Sequence, residues 1–137
     1  MHPETLVPLT ELVHYFNKRS RLSRGGAGED SFELADGRVQ VRWGACVLGT
    51  VFQPVVASAC GQVIGHEAHL RLLEGGEAGL PPSAIFLAAR DDDELVHLDR
   101  LARTMHALNF LQEREQHGGF LSLNVHPQLL RTVREHH

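Results

Sequence analysis

The chain has 137 residues, 42% of them hydrophobic and 22% charged, which suits a single soluble globular domain. A formal net charge of -4 with no block of Lys and Arg excludes the electrostatic footprint of a general DNA- or RNA-binding protein. No stretch has the apolar length of a membrane span, the N-terminus lacks the pattern of a secretory signal, and Cys46 and Cys60 fall outside any CxxC spacing, so the expectation is a cytoplasmic protein with reduced core thiols and no membrane partner.

In residues 3–18, Leu6, Leu9, Leu12, Val13 and Phe16 recur at helical spacing, which predicts an amphipathic helix kinked at Pro8. Its apolar stripe is expected to cover the domain's own core. Residues 20–30, rich in Gly, Ser and charge, read as a flexible connector. The expected division is therefore an N-terminal helix and linker at 1–30 and a main domain at 31–137. Phe32-Glu33-Leu34 and Val39-Gln40-Val41-Arg42-Trp43 flank Asp36-Gly37 and read as a hairpin, because Asp-Gly supplies the positive-φ turn.

Residues 47–56 form the next strand candidate. The short turn at Ser58-Ala59-Cys60-Gly61 makes it antiparallel to the strand that follows, residues 62–72. That central strand alternates, with Glu67, His69 and Arg71 on one face and Ala68, Leu70 and Leu72 on the other. Two readings of the polar face stand side by side. It is a solvated surface, or it is a site in which a carboxylate serves a hard cation and a guanidinium grips a phosphate.

Residues 73–82 read as a loop. Asp91-Asp92-Asp93 then caps a helix whose stripe is Leu95, Leu98, Leu101, Ala102, Met105, Leu108 and Leu111, ended by Gly118-Gly119. Residues 120–126 alternate as a strand, and Pro127 opens a final helix through residue 135. Strand, helix and strand make a crossover unit, so the last strand is expected parallel to the central one. Ser122, Asn124 and His126 would then converge with Glu67, His69 and Arg71 on one pocket, at the strand ends where α/β sites sit. His14, His66 and His106 have no partner evident in the sequence.

Phe52-Gln53-Pro54-Val55-Val56, Gly61-Gln62-Val63-Ile64-Gly65-His66-Glu67-Ala68-His69-Leu70-Arg71, residues 82–89, Leu98-Asp99 and Ser122-Leu123-Asn124-Val125-His126-Pro127-Gln128-Leu129 follow one another in the order and spacing of the EAL domains, which the chain resembles from about residue 47 onward. The first stretch is similar to the family's Tyr-Gln-Pro-Ile-Val strand. The second is similar to its signature strand, with Glu67-Ala68 matching and His69 in place of the Leu. The third resembles a Phe-Ile-Pro-Leu-Ala-Glu stretch, the fourth an Ile-Asp that begins a helix, and the last a Ser-Val-Asn-Leu-Ser-Pro-x-Leu segment.

EAL domains are cyclic di-GMP phosphodiesterases and their degenerate relatives, and the resemblance implies an α/β fold, a modified TIM barrel whose first strand is antiparallel to the rest. It implies that Glu67 and Asn124 correspond to metal ligands and that Gln53 and Arg71 correspond to residues contacting the dinucleotide. In a complete site two Mg²⁺ or Mn²⁺ ions would activate water for in-line attack, giving pGpG. The family's later motifs, an Asp-Asp-Phe-Gly and a catalytic Lys, are absent from these residues, and a TIM barrel runs to about 250 residues. The expectation is thus a truncated, non-catalytic EAL-type domain, a partial barrel preceded by a helix and hairpin. It would act through residual cyclic di-GMP binding or a protein partner, self-association at an exposed barrel edge included. The alternative is the N-terminal part of a phosphodiesterase completed by another chain or by missing sequence. A third reading gathers Glu67, His69, Asn124 and His126 around one Zn²⁺, against imidazoles that merely hydrogen-bond within a polar lumen.

Overall fold

A computed structural model describes residues 8–23, 30–75, 81, 84–114 and 118–124. Helix α1 (Leu9–Ser23) starts directly after Pro8, whose carbonyl accepts the N–H groups of Glu11 and Leu12 at 3.0 and 3.2 Å. The expected kink at Pro8 is instead a helix start, because proline lacks an N–H and suits the first turn. The helix also runs on through residues 20–23, which the sequence had assigned to the connector. Val13 is buried and Leu9, Leu12 and Phe16 pack against the same core, so the stripe covers this chain's own interior as expected. Leu6 and residues 24–29 lie outside the described residues.

Strands β1 (Phe32–Ala35) and β2 (Arg38–Trp43) form the hairpin, with Asp36 at φ 52° and Gly37 at φ 77° in the turn. Strand β3 (Cys46–Val56) meets β2 only from Cys46 to Leu48, then pairs along its length with β4 (Val63–Glu74), antiparallel in both cases. Strand β4 runs to Glu74, past the predicted loop start, and the Leu73 side chain lies over Gly49, where a Cβ would come within 2.9 Å of it. After the short helix α2 (Ala84–Leu87), helix α3 (Asp92–Gln112) leads to β5 (Phe120–Leu123), which lies parallel beside β4. The predicted crossover is present. The order in space is β1-β2-β3-β4-β5, a mixed α/β sheet compatible with the first part of a barrel.

Asp91 caps α3 as predicted, its side chain accepting the Glu94 N–H at 2.8 Å. Leu95, Leu98, Leu101, Ala102, Met105 and Leu108 are buried, with α3 packed on β2, β3, β4 and β5, but Leu111 is 54% exposed. Asn109 takes the inward position at that turn. Leu98 and Asp99 sit inside α3 rather than at its start. The helix also ends at Gln112, before Gly118-Gly119; Gly119, at φ 84°, instead lets the chain press against β4, where a Cβ would fall 2.2 Å from the Ile64 carbonyl oxygen. Cys46 is half-buried and Cys60 exposed, so only the former adjoins the core, and both are free thiols. The predicted final helix at 127–135 lies outside the described residues.

Two buried asparagines tie helices to strands. Asn17 of α1 accepts the Phe32 N–H at 2.8 Å and donates to the Phe32 carbonyl at 3.0 Å. Asn109 of α3 does the same for Val39, at 2.7 and 2.8 Å. In the hairpin register Phe32 and Val39 turn their polar backbone groups away from the partner strand, so each amide stands in for an absent neighbour strand.

Candidate functional site on the uncovered face of β3, β4 and β5

Helix α3 lies on the face of β4 that carries His66 and Ala68, both buried, and Leu70 and Leu72, which pack on the core. The opposite face carries Glu67, His69 and Arg71, as alternation predicts. The register brings Gln53 opposite Glu67, Val51 opposite His69 and Gly49 opposite Arg71. On the other side Ser122 of β5 is level with Glu67. Gln53, Glu67 and Ser122 thus stand in one row across three adjacent strands, whose spacing in any sheet is about 4.8 Å.

His69 joins this row. Its Nε2 lies 2.8 Å from Glu67 Oε1 and 3.1 Å from Gln53 Oε1. Both partners are oxygen acceptors, so Nε2 carries the proton and spans the two. Arg71, exposed and farther along β4, forms no ion pair with any described residue. Asn124 is exposed and directly follows β5. His126 lies outside the described residues. Among the described residues no group of three or more His, Cys, Asp and Glu is placed to hold a metal ion.

The same face carries apolar groups that sequence reading did not single out. Val51, Val63, Leu73 and Phe120 are all more than 40% exposed there. Phe120 lies against Gly65, where a Cβ would come within 2.6 Å of its ring. The one signal in the sequence was that glycine, set on the polar face of an otherwise full strand.

Behind the row, on the covered face, Thr50 Oγ1 shares a 2.7 Å hydrogen bond with His106 Nδ1 and accepts one from Asn109 Nδ2 at 3.1 Å. Burial pushes the His106 pKa down to about 4, with the nearby His69 adding to the effect. His66 Nδ1 is 3.2 Å from the Gly118 carbonyl oxygen. Of the three histidines that lacked partners in the sequence, His66 and His106 therefore have structural ones.

A family model described as EAL domain matches residues 38–134. The chain belongs to the EAL domain family. No curated protein and no solved structure matches it. EAL domains are a phosphodiesterase-like family of cyclic di-GMP signalling whose members bind the dinucleotide and generally use Mg²⁺ or Mn²⁺. The matched part of this EAL domain begins at β2, so α1 and β1 precede it. No described helix is long and apolar enough to cross a membrane. The described residues do not fit a two-ion centre. Mg²⁺ demands near-octahedral oxygen ligands, and the row offers one carboxylate, already engaged by an imidazole.

Proposed function

We propose that this EAL domain chain does not hydrolyse cyclic di-GMP by itself and acts in cyclic di-GMP signalling by binding, through the uncovered face of β3, β4 and β5. The observation that carries the reading is the His69 nitrogen set between Glu67 and Gln53. By resemblance Glu67 is a metal ligand and Gln53 a nucleotide contact, and an N–H held on Oε1 of each competes there with a hard cation or a nucleotide donor. The Arg71 guanidinium, the Ser122 hydroxyl and the exposed Val51 and Phe120 side chains are left to bind a partner. That mixture suits a nucleotide's phosphate and base, or the polar rim and apolar centre of a protein contact. A cytoplasmic location goes with this reading.

Calorimetric titration of the purified chain with cyclic di-GMP, with and without Mg²⁺, run beside an assay for pGpG, tests it. Binding without pGpG assigns the face to the nucleotide; neither binding nor pGpG assigns it to a protein surface, a second copy of this chain included. Turnover by the chain alone would sink the reading. His69→Leu supplies a sharper check, because a hydrogen bond to a charged group contributes about 1.5–3 kcal/mol and its removal should raise Mn²⁺ affinity at Glu67 by about tenfold or more. An unchanged Mn²⁺ titration in that variant would show that His69 does not guard the carboxylate.

Among the described residues β5 pairs only with β4, and this favours a second reading. Here the chain is the N-terminal part of a metal-dependent phosphodiesterase whose sheet is continued by strands from another chain or from sequence outside these residues. Adding a matching C-terminal half should then produce Mg²⁺- or Mn²⁺-dependent pGpG. A folded half that restores nothing counts against it.

A further inference from the structure

On the helical side of the sheet, away from the face just described, α1 and α3 leave a cavity of about 190 Å³ between them. Phe16, Phe32 and Leu101 give it an apolar lining, and Arg19 of α1 and Arg100 of α3, each positively charged, also line it. Their neighbours are neutralised: Arg21 pairs with Asp30, Arg103 with Asp99 at 2.8 Å, and Arg90 with Glu94 at 2.8 Å. Arg19 and Arg100 have no carboxylate partner among the described residues, and Arg19 has only the Tyr15 ring, 6.0 Å from its guanidinium carbon. Two like charges in one partly apolar cavity repel each other, and an anion between them removes that repulsion while meeting two planar donors.

We propose that this cavity binds a small organic oxyanion, a phosphate monoester or carboxylate held by Arg19 and Arg100, with its apolar body against Phe16, Phe32 and Leu101. Its size sets the class. Pockets for drug-sized ligands run to about 300–1,000 Å³, so this one takes a single ring with its anionic group and excludes a dinucleotide. Charge sets the direction. A second cleft shares His97 and Arg100 but carries Asp91, Asp93 and Glu94, so the oxyanion sits on the Arg19 side of Arg100. His97, whose ring lies 5.7 Å from that of Trp43, forms the wall between the two. The cavity joins α1 and β1, which precede the residues of the family match, to α3, which lies within them. An occupant would therefore fasten α1 to the rest of the chain.

The test uses the full chain with three probes, phenyl phosphate, benzoate and inorganic phosphate, titrated by calorimetry and followed by hydrogen exchange on α1. Phenyl phosphate or benzoate is expected to bind saturably and to slow α1 exchange, and the tighter of the two identifies the oxyanion. Arg19→Gln and Arg100→Gln should each weaken binding by about tenfold or more, whereas Arg103→Gln, already paired with Asp99, should leave it unchanged. Both tested arginines are exposed, so the variants are expected to fold, with circular dichroism as the check. The proposal is overturned by no saturable binding of any probe, by binding that Arg19→Gln and Arg100→Gln leave intact, or by inorganic phosphate binding as tightly as phenyl phosphate.

Discussion

His106 is buried on α3 against Thr50, and burial keeps its imidazole neutral with a pKa near 4, against 6.5 for the free side chain. Because the folded value lies below the unfolded one, the unfolded chain binds the proton more readily. Its contribution is fully present above pH 6.5 and is lost as the pH falls from there to about 4, on the order of 3 kcal/mol across that window. Urea unfolding at pH 7.0 and pH 4.5 measures the loss, and His106→Gln should flatten it. Glu33 adds an acid limb of its own. Hydrogen bonds from Arg42 and Gln40 hold its carboxyl below the usual range, so what it contributes disappears only as the pH drops beneath that range. His69 marks where reading by residue type stopped. Alternation placed it on the face of Glu67, but its contact with Gln53 depended on a cross-strand register that the turn at residues 58–61 did not fix.

At the level of elements, the asparagines that join helices to strands are the parts whose loss should be most costly. Asn109→Ala leaves the buried Val39 N–H and carbonyl without partners, at about 1–3 kcal/mol for each group, so a destabilisation of about 2–6 kcal/mol is expected in urea unfolding. A loss below 1 kcal/mol would show that water replaces the amide. Gly119→Ala should weaken the β4–β5 contact by at least about 1–2 kcal/mol from its left-handed φ alone. The approach to the Ile64 carbonyl adds to that, and faster hydrogen exchange confined to β5 and the facing part of β4 is the expected sign.

The hairpin, the Asp91 cap and the parallel crossover were legible because each follows from local chemistry: a positive-φ pair, a side chain within reach of N–H groups, a helix between two strands. Asn17 and Asn109 were not, since one polar residue in an apolar stripe reads as an interruption until a strand's unpaired backbone is seen opposite it. Leu111 misled for the same reason, being apolar at nearly the right spacing while Asn109 held the inward place.

For the whole molecule, the order of family motifs pointed to the α/β fold from β3 onward and the family match extends this to β2, whereas α1 and β1 were legible only as a helix and half a hairpin. Their docking onto α3 required knowing which face of the sheet the long helix covers. The two edges of this sheet differ. At β1 the outward groups of Phe32 are held by Asn17, whereas among the described residues β5 has a neighbour only on its β4 side. Self-association is therefore expected through β5, and sedimentation velocity should show a dimer. A monomer at every concentration would refute that expectation. The identity of spatial and sequential strand order has a further consequence, for synthesis. Each strand after β1 leaves the ribosome after a neighbour it pairs with, so the sheet can assemble vectorially. The face that α3 will cover nevertheless stands bare until roughly 40 more residues are made, which at about 5–20 residues per second is an interval of roughly 2–8 s in which a nascent chain presents Val39, Val41 and Leu48 to chaperones.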